Sequence, residues 1–166
     1  DRDTMEADVF RNWQLHCDRR GVILLAPLAP DAAWTADQTD YINALVELFR
    51  SRYRIDPRRI VAHGMDQGGE LAYDLVFRHR DVYAAGMTIS APLRQMPPEG
   101  ESRYVPQFLL ISQTGSPEAD LVEQTQSLLQ EMRLPTSSVS FEQELPGYPP
   151  EDAIETMVRW VESRDR

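Results

Sequence analysis

The sequence predicts an α/β fold, with a mostly parallel sheet of about five strands and helices on both faces. Short apolar runs alternate with helix-like periodicity along the chain, and such alternation is typical of parallel strands joined by right-handed crossovers. The run Val22–Ala26 is apolar at every position, as expected for a strand that is covered on both sides. A length of 166 residues suits one domain, so we expect residues 1–166 to form a single domain.

The helices are predicted where apolar residues recur at steps of three or four positions. Gly21 follows the first apolar stripe and ends that helix, because glycine commonly terminates helices. Thr35 and Gln38 have the spacing of a capping box and mark the start of the second helix. The predicted helices are carried by Met5, Val9, Trp13 and Cys17; by Tyr41, Leu45, Leu48 and Phe49; and by the ranges Glu70–Arg80, Pro117–Arg133 and Glu151–Ser163.

The strands are predicted where short apolar runs lie between turn-forming residues. Pro27 closes the first run, and the turn residues Asp56 and Pro57 precede the second. In a parallel sheet the functional side chains follow the carboxyl ends of the strands, so we expect the chemistry in those loops. The predicted strands are Val22–Ala26, Ile60–His63, Tyr83–Ser90, Val105–Ser112 and Val139–Glu142.

The composition is acidic, with 27 Asp and Glu residues against 17 Lys and Arg and a net charge of −10. Nucleic acids and anionic membranes attract concentrated positive charge, so neither is an expected partner. The longest apolar run, Val22–Leu28, is far below the roughly 20 residues that span a bilayer, and we expect a soluble protein. No targeting segment opens the chain, and Asp1 is not an initiator methionine. We therefore expect a piece of a longer protein whose other domains are partners.

One sharp turn carries the most specific motif of the sequence. Gly64, Met65, Asp66, Gln67 and Gly68 lie between a predicted strand and a predicted helix. Their spacing resembles the G-x-S-x-G nucleophile elbow of the α/β-hydrolases. The resemblance implies that Asp66 is held in a strained conformation above the sheet, while the glycines let the strand and the helix approach closely. It also implies that the side chain of Asp66 lies near the positive end of the following helix.

The resemblance extends over most of the chain. From Gly21 onward the order of elements is similar to the second half of an α/β-hydrolase of the esterase, peptidase or polyhydroxyalkanoate-depolymerase kind. Pro27 and Trp34 resemble the segment after the fourth strand of that family, and the range 90–92 resembles the end of its sixth strand. The resemblance implies that the first strands of the family fold have no counterpart upstream of Asp1.

The resemblance also implies that all three positions of the catalytic triad are substituted. Asp66 stands where the family has its nucleophilic serine, Ser116 where it has an acid, and Tyr148 where it has a histidine. In a triad the histidine removes the serine proton and the acid orients the histidine. Loss of the nucleophile or of the base alone costs on the order of a million-fold in turnover. A pseudoenzyme with a degenerate triad and a binding or structural role is therefore predicted.

Other functions stay open as alternatives. Haloalkane dehalogenases and epoxide hydrolases use an elbow aspartate as nucleophile, so Asp66 can form an ester if a missing segment or another subunit supplies the base. An esterase- or peptidase-like hydrolase whose partner residues come from a missing segment or another subunit is the other form of this alternative. Tyr148 does not supply the base, because a phenol titrates near pKa ~10. A nucleotide- or flavin-binding domain fits the alternation of strands and helices but lacks the Gly-rich first turn. A structural role fits Asp66 as well, since aspartate tolerates left-handed backbone angles and caps helices.

The histidines and the single cysteine favour structural roles. His63 is expected at a strand end and partly buried, although His63 and Gly64 together resemble the oxyanion motif of the family. His16 and His79 lie on helices without an acidic partner at a recognisable spacing, so solvent-exposed or packing roles are expected. Cys17 belongs to an apolar stripe and is expected in a core.

No cofactor and no metal site are expected. The histidines lack metal-ligand spacing, and the turn lacks the Lys and the Ser or Thr of a phosphate-binding loop. Glu151, Asp152 and Glu155 open the last predicted helix, where carboxylates interact favourably with the helix dipole, and calcium binding is the lesser alternative. The expected partner is a protein, peptide or small-molecule ligand of unknown identity, and an open sheet edge can also pair with another copy.

Overall fold

The computed structural model describes residues 2–29, 34–35, 38–97, 103–141 and 148–165. The chain divides into two compact units. We call Asp1–Pro27 with Glu144–Arg166 the helical unit, and Leu28–Gln143 the sheet unit. Among the described residues, no helix combines the length and the apolar character needed to cross a membrane.

The sheet unit is built on four parallel strands in the order β1-β2-β3-β4. Each strand pairs with the next strand of the chain, and all the pairs are parallel. Every residue of the second strand is buried, so both faces of the sheet are covered at that strand. The predicted α/β class with a parallel sheet is confirmed. The strands are β1 (Val61–Met65), β2 (Ala85–Ile89), β3 (Gln107–Gln113) and β4 (Thr136–Phe141).

The helices α2 (Thr39–Arg52), α3 (Gln67–Arg78) and α4 (Ala119–Glu131) belong to the sheet unit. α3 packs against β1 and β2, and α4 packs against β3 and β4. The core of this unit centres on Phe108 of β3, whose ring centroid lies 5.3 Å from that of Phe77 and 5.7 Å from that of Tyr73. These contacts hold α3 on the sheet and so position the turn that precedes it.

The helical unit consists of α1 (Arg2–Arg20) and α5 (Glu151–Glu162), which pack against each other. Arg20 of α1 reaches two carboxylates of α5, with nitrogen to oxygen distances of 2.7 Å to both Glu155 and Glu162. Ile154 and Val158 of α5 are buried, as predicted from their spacing. Apolar packing and a shared arginine therefore join the two helices.

The first predicted strand, Val22–Ala26, is wrong. These residues form neither helix nor strand, and the side chain of Ile23 is 47% exposed. A strand needs a neighbouring strand to bond its backbone groups, and an apolar run alone does not show that one is available. The described sheet therefore has four strands, and each of the other predicted strands overlaps one of them.

The predicted inner face of α2 is wrong at two of its four residues, Tyr41 and Leu48, while Leu45 and Phe49 are half-buried. Thr39 and Ile42 are buried, whereas Tyr41 is 50% exposed and Leu48 is 42% exposed. Ile42 belongs to the core, and the partly buried Val46 packs against it. The helix carries apolar residues along two adjacent stripes, so periodicity alone does not show which of them the core takes up.

Candidate functional site

Asp66 lies at the tip of a sharp turn, between the carboxyl end of β1 and the first residue of α3. Its φ of 49° and ψ of −119° lie in a sparsely populated region of backbone angles, which a residue other than glycine adopts only under strain. Its N–H donates to the carbonyl of Ile89 on β2, and its carbonyl accepts from the N–H groups of Gly69 and Glu70, each at 3.0 Å. The turn therefore has the strained backbone that the elbow resemblance implied, and the neighbouring elements hold it in place.

Close backbone packing explains two of the glycines in the turn. A Cβ at Gly64 would lie 2.1 Å from the carbonyl oxygen of Gly68, and one at Gly69 would lie 2.4 Å from the Cβ of Ala91. A Cβ at Gly68 would meet no atom within 4 Å. The approach of strand and helix thus depends on Gly64 and Gly69, and the expectation that Gly68 provides clearance is wrong.

The residues on either side of Asp66 belong to the flanking elements. Met65 ends β1 opposite Ile89, and Gln67 is the exposed first residue of α3. Asp66 precedes the helix but makes no side-chain capping hydrogen bond, so the expected capping role is wrong. A capping residue has an extended backbone that returns its side chain to the first turn, and the positive φ of Asp66 does not do this.

Replacing Asp66 with glycine is expected to stabilise the protein. The strain of such a backbone conformation is about 1–3 kcal/mol, and the entropy lost by a glycine offsets about 0.5–1 kcal/mol of the gain. We therefore expect the free energy of unfolding to rise by roughly 1 kcal/mol in a urea titration. Asp66→Asn removes the charge but keeps a side chain of the same size on the strained backbone, so it is the matched control. A less stable Asp66→Gly variant would show that the side chain makes a stabilising contact.

Two carboxylates act on the charge of Asp66. Partial loss of hydration is the main cause that raises the pKa of Asp66 above its ordinary value, although the residue is exposed. The negative charge of Glu118 raises it further, and that of Glu70 adds a smaller effect. Glu70 is paired with the guanidinium of Arg94. The effect of Glu118 on the pKa of Asp66 is the larger of the two. Additional negative charge at this turn is therefore unfavourable.

The turn after β3 contains Ser116 and brings Glu118 within electrostatic range of Asp66. The N–H of Ser116 donates to the carbonyl of Gln113 at 3.1 Å, and its carbonyl accepts from Ala119 at 3.0 Å. Its buried hydroxyl oxygen has no hydrogen-bond partner within the described ranges. Glu118 is not predicted from the sequence, because spacing from the strand does not show how the turn folds. The only signal in the sequence is a carboxylate two positions after Ser116.

Tyr148 lies in the helical unit, where its hydroxyl oxygen accepts a hydrogen bond from the indole N–H of Trp13. The residue is 9% exposed. Burial raises the pKa of Tyr148 above its ordinary value, and the hydrogen bond from Trp13 opposes this more weakly. The phenol therefore keeps its proton at neutral pH, and its contact with Trp13 gives it a packing role between α1 and the segment before α5.

His63 is the central residue of β1, three positions before Asp66. Its Nδ1 lies 2.9 Å from the carbonyl oxygen of Met87 on β2, so Nδ1 carries a proton and donates it. Burial lowers the pKa of His63 to about 4, while the bond to Met87 has a smaller opposite effect. The ring is therefore neutral at physiological pH and is held by the neighbouring strand. His63 is partly buried as expected, but it lies at the centre of β1, so the expected strand-end position is wrong.

His16 and His79 each lie near a carboxylate of another helix. Nδ1 of His16 is 3.6 Å from Glu155 in the helical unit, and Nε2 of His79 is 3.8 Å from Asp40 in the sheet unit. No acidic partner was expected at a recognisable spacing, and both carboxylates are distant in sequence, so only helix packing brings them near the histidines. Burial raises the pKa of Cys17, which is consistent with a protonated thiol. The described residues include no group of three His, Cys, Asp or Glu side chains that could hold a metal ion.

Solved structures that include an esterase and a serine hydrolase are similar to this chain in fold. A SOBER1 variant from Arabidopsis thaliana has a TM-score of 0.62 and 14% identity, over 85% of this chain and 69% of that one. An esterase from Rhizomucor miehei has a TM-score of 0.62 and 14% identity, over 82% of this chain and 62% of that one. FphF, a fluorophosphonate-binding serine hydrolase of Staphylococcus aureus, has a TM-score of 0.55 and 13% identity, over 74% of this chain and 62% of that one. The chain has the α/β-hydrolase fold.

The α/β-hydrolase fold is established here by structure and not by sequence similarity. No family model and no curated protein sequence matches this chain. The chain spans 62% of the Rhizomucor esterase and of FphF, so it corresponds to part of their length. Fold similarity alone does not transfer an activity, because function depends on the side chains of the site.

Proposed function

We propose that this chain is a non-catalytic α/β-hydrolase-like domain that binds a partner or ligand without turnover, or supports a larger assembly. The observation that carries the proposal is a carboxylate, Asp66, at the tip of the elbow, with Glu118 and Glu70 acting on its charge. α/β-Hydrolases place a nucleophilic serine at this tip. The resemblance of the turn and its strained backbone support the equivalence of the two positions.

The charge of the turn opposes acyl transfer. Serine hydrolases stabilise a negatively charged oxygen with backbone N–H groups at the elbow, including that of the residue after the nucleophile, here Gln67. In this chain the neighbouring Asp66 carries a negative charge of its own when it is ionised. Glu118 adds a second negative charge within electrostatic range of Asp66. A developing oxyanion would therefore be repelled where a hydrolase stabilises it.

Neither His63 nor Tyr148, the two residues that the family resemblance singles out, provides a general base. The two charged side chains that act on Asp66, Glu118 and Glu70, are both acidic. Nδ1 of His63 is engaged with Met87, and its low pKa makes the ring a weak base. Tyr148 is buried and protonated. These observations support a site that retains the elbow backbone without the proton-transfer groups of a hydrolase.

A fluorophosphonate probe is expected to leave this chain unlabelled, because labelling requires an activated serine. Intact-mass spectrometry measures the adduct directly, and a serine hydrolase labelled in parallel shows that the probe is active. The Asp66→Ser variant is also expected to stay unlabelled, since a serine without a base remains protonated. Stoichiometric labelling of any serine in the natural chain would reject the proposal.

The second candidate function is a hydrolase that uses Asp66 as its nucleophile. The intact elbow geometry favours it, because the turn presents the Asp66 side chain as exposed. Incubation with an activated ester or an alkyl halide, followed by peptide mass spectrometry, would detect an ester on the peptide that contains Asp66. The Asp66→Asn variant is the control. Turnover together with this ester would replace the non-catalytic proposal.

A further inference from the structure

β4 is the edge strand of the described sheet. It pairs with β3, and the described residues include no other strand beside it. Ser137, Ser138 and Ser140 are exposed. The opposite edge of the sheet differs, since no residue of β1 is exposed. β4 therefore presents the more accessible edge for a backbone partner.

The hydrogen bonds to β3 show which backbone groups of β4 point outward. The N–H of Phe108 donates to the carbonyl of Pro135, and the N–H of Thr114 donates to the carbonyl of Phe141. Successive residues of a strand direct their backbone groups to alternate sides. The odd-numbered residues from 135 to 141 thus face β3. The remaining residues, Thr136, Ser138 and Ser140, direct their N–H and carbonyl groups away from the sheet.

The strand lacks the features that protect natural sheet edges. Charged side chains, prolines and bulges normally prevent such edges from pairing with another chain. Thr136–Phe141 contains no charged residue and no proline. Its register with β3 runs without interruption from Phe108 opposite Thr136 to Gln113 opposite Phe141, so there is no bulge. An uninterrupted, uncharged edge of this kind can accept another strand.

We propose that β4 pairs with β4 of a second copy of this chain, antiparallel about a two-fold axis at Ser138. In this register Ser138 lies opposite Ser138 of the other copy, and Thr136 lies opposite Ser140. Every outward-facing residue then exchanges both of its backbone hydrogen bonds with its counterpart. The two sheets join into one continuous sheet through an isologous interface, in which the same surface serves both copies.

The chemistry of the strand favours a second copy as the occupant. The outward residues are spaced symmetrically about Ser138, so the strand is complementary to itself. The chain carries a net charge of −10, which disfavours close approach of two copies at most surfaces. β4 has no charge, and the cross-strand pairs of its outward-facing residues, Ser138 with Ser138 and Thr136 with Ser140, join hydroxyl side chains, which pair favourably in antiparallel sheets. The edge is therefore a place where two acidic copies can meet without direct repulsion.

Sedimentation equilibrium over a range of protein concentrations tests the proposal. We expect the mass to rise from 19.0 kDa toward twice that value. Ser138→Pro removes an outward N–H without affecting a bond to β3, and Ser138→Lys places two like charges at the two-fold axis. Each is expected to raise the dissociation constant by about tenfold or more. Ser127→Lys, on the exposed side of α4, adds the same charge elsewhere and is expected to leave the constant unchanged.

Amide hydrogen exchange provides an independent measurement on the unaltered chain. We expect the exchange of the Ser138 and Ser140 amides to slow as the protein concentration rises, while that of Ser137, which faces β3, stays constant. If Ser138→Pro does not fold, the lysine variant and the exchange data decide. A chain that stays monomeric up to about 1 mM, or a dimer that persists with Ser138→Lys, would overturn the proposal.

Discussion

Replacing Gly64 with alanine is expected to destabilise the sheet unit by about 3 kcal/mol or more, because the added methyl group would overlap backbone atoms. The Cβ would lie 2.1 Å from the carbonyl oxygen of Gly68 and 2.6 Å from the nitrogen of Gly69. The backbone cannot easily move away, since the N–H groups of Gly69 and Glu70 are bonded to the carbonyl of Asp66. Such a loss is a large part of the stability of a domain of this size.

Gly68→Ala is the matched control for this prediction. It adds the same methyl group to the same turn, at a position where a Cβ meets no atom within 4 Å. Gly68 lies within α3, where alanine is favoured over glycine by about 1 kcal/mol. Urea unfolding should therefore show unchanged or slightly higher stability for Gly68→Ala and a strong loss for Gly64→Ala. Equal stability of the two variants would show that the strand and helix do not approach as closely as described.

Lowering the pH from 7 to 4 is expected to destabilise the protein through His63. Its pKa is lowered from 6.5 in the unfolded chain to about 4 in the folded chain, so the unfolded state binds more protons between these values. This contribution to stability is present above pH 6.5 and is lost as the pH falls toward 4. The difference between the two pKa values corresponds to roughly 3 kcal/mol, of which about 2 kcal/mol is lost at pH 5.

The His63→Asn variant separates this effect from the other groups that titrate on acidification. An asparagine amide can still donate to the carbonyl of Met87, but it does not titrate. The stability of the natural chain, measured by denaturant unfolding at each pH, should fall more steeply between pH 6.5 and 4 than that of the variant. An NMR titration of the His63 ring in the natural chain measures its pKa directly, and a value near 6.5 would contradict the prediction.

The local parts of the structure were predictable because neighbouring residues determine them. The turn at Asp66 follows from two glycines and a central residue at fixed spacing between a strand and a helix. The contact before α2 follows from Thr35 and Gln38, since the N–H of Thr35 donates to the side-chain oxygen of Gln38 at 3.1 Å. α2 itself begins at Thr39, after Gln38, and not directly after Thr35 as the capping-box spacing predicts. Such contacts join residues a few positions apart, so the sequence contains both partners in one short window.

The parts that were missed depend on residues that are distant in the chain. Val22–Ala26 has the composition of a strand, but the formation of a strand depends on a partner. α2 has two apolar stripes, and only packing of Ile42 into the core distinguishes them. His16 lies near Glu155 because α1 and α5 pack together. The two residues are far apart in the sequence, so the spacing of residues along one helix does not predict this contact.

By itself, the sequence determined the α/β class, the strained turn and the acidic residue at its tip, because periodicity, glycine spacing and residue identity act locally. Only the tertiary structure decided that Glu118 acts on Asp66 and that Tyr148 contacts Trp13. It also decided that β4 lies at the edge of the described sheet. Electrostatic and packing partners that are far apart in the chain are brought together only by the folded backbone, so their spacing in the sequence does not predict that they are in contact.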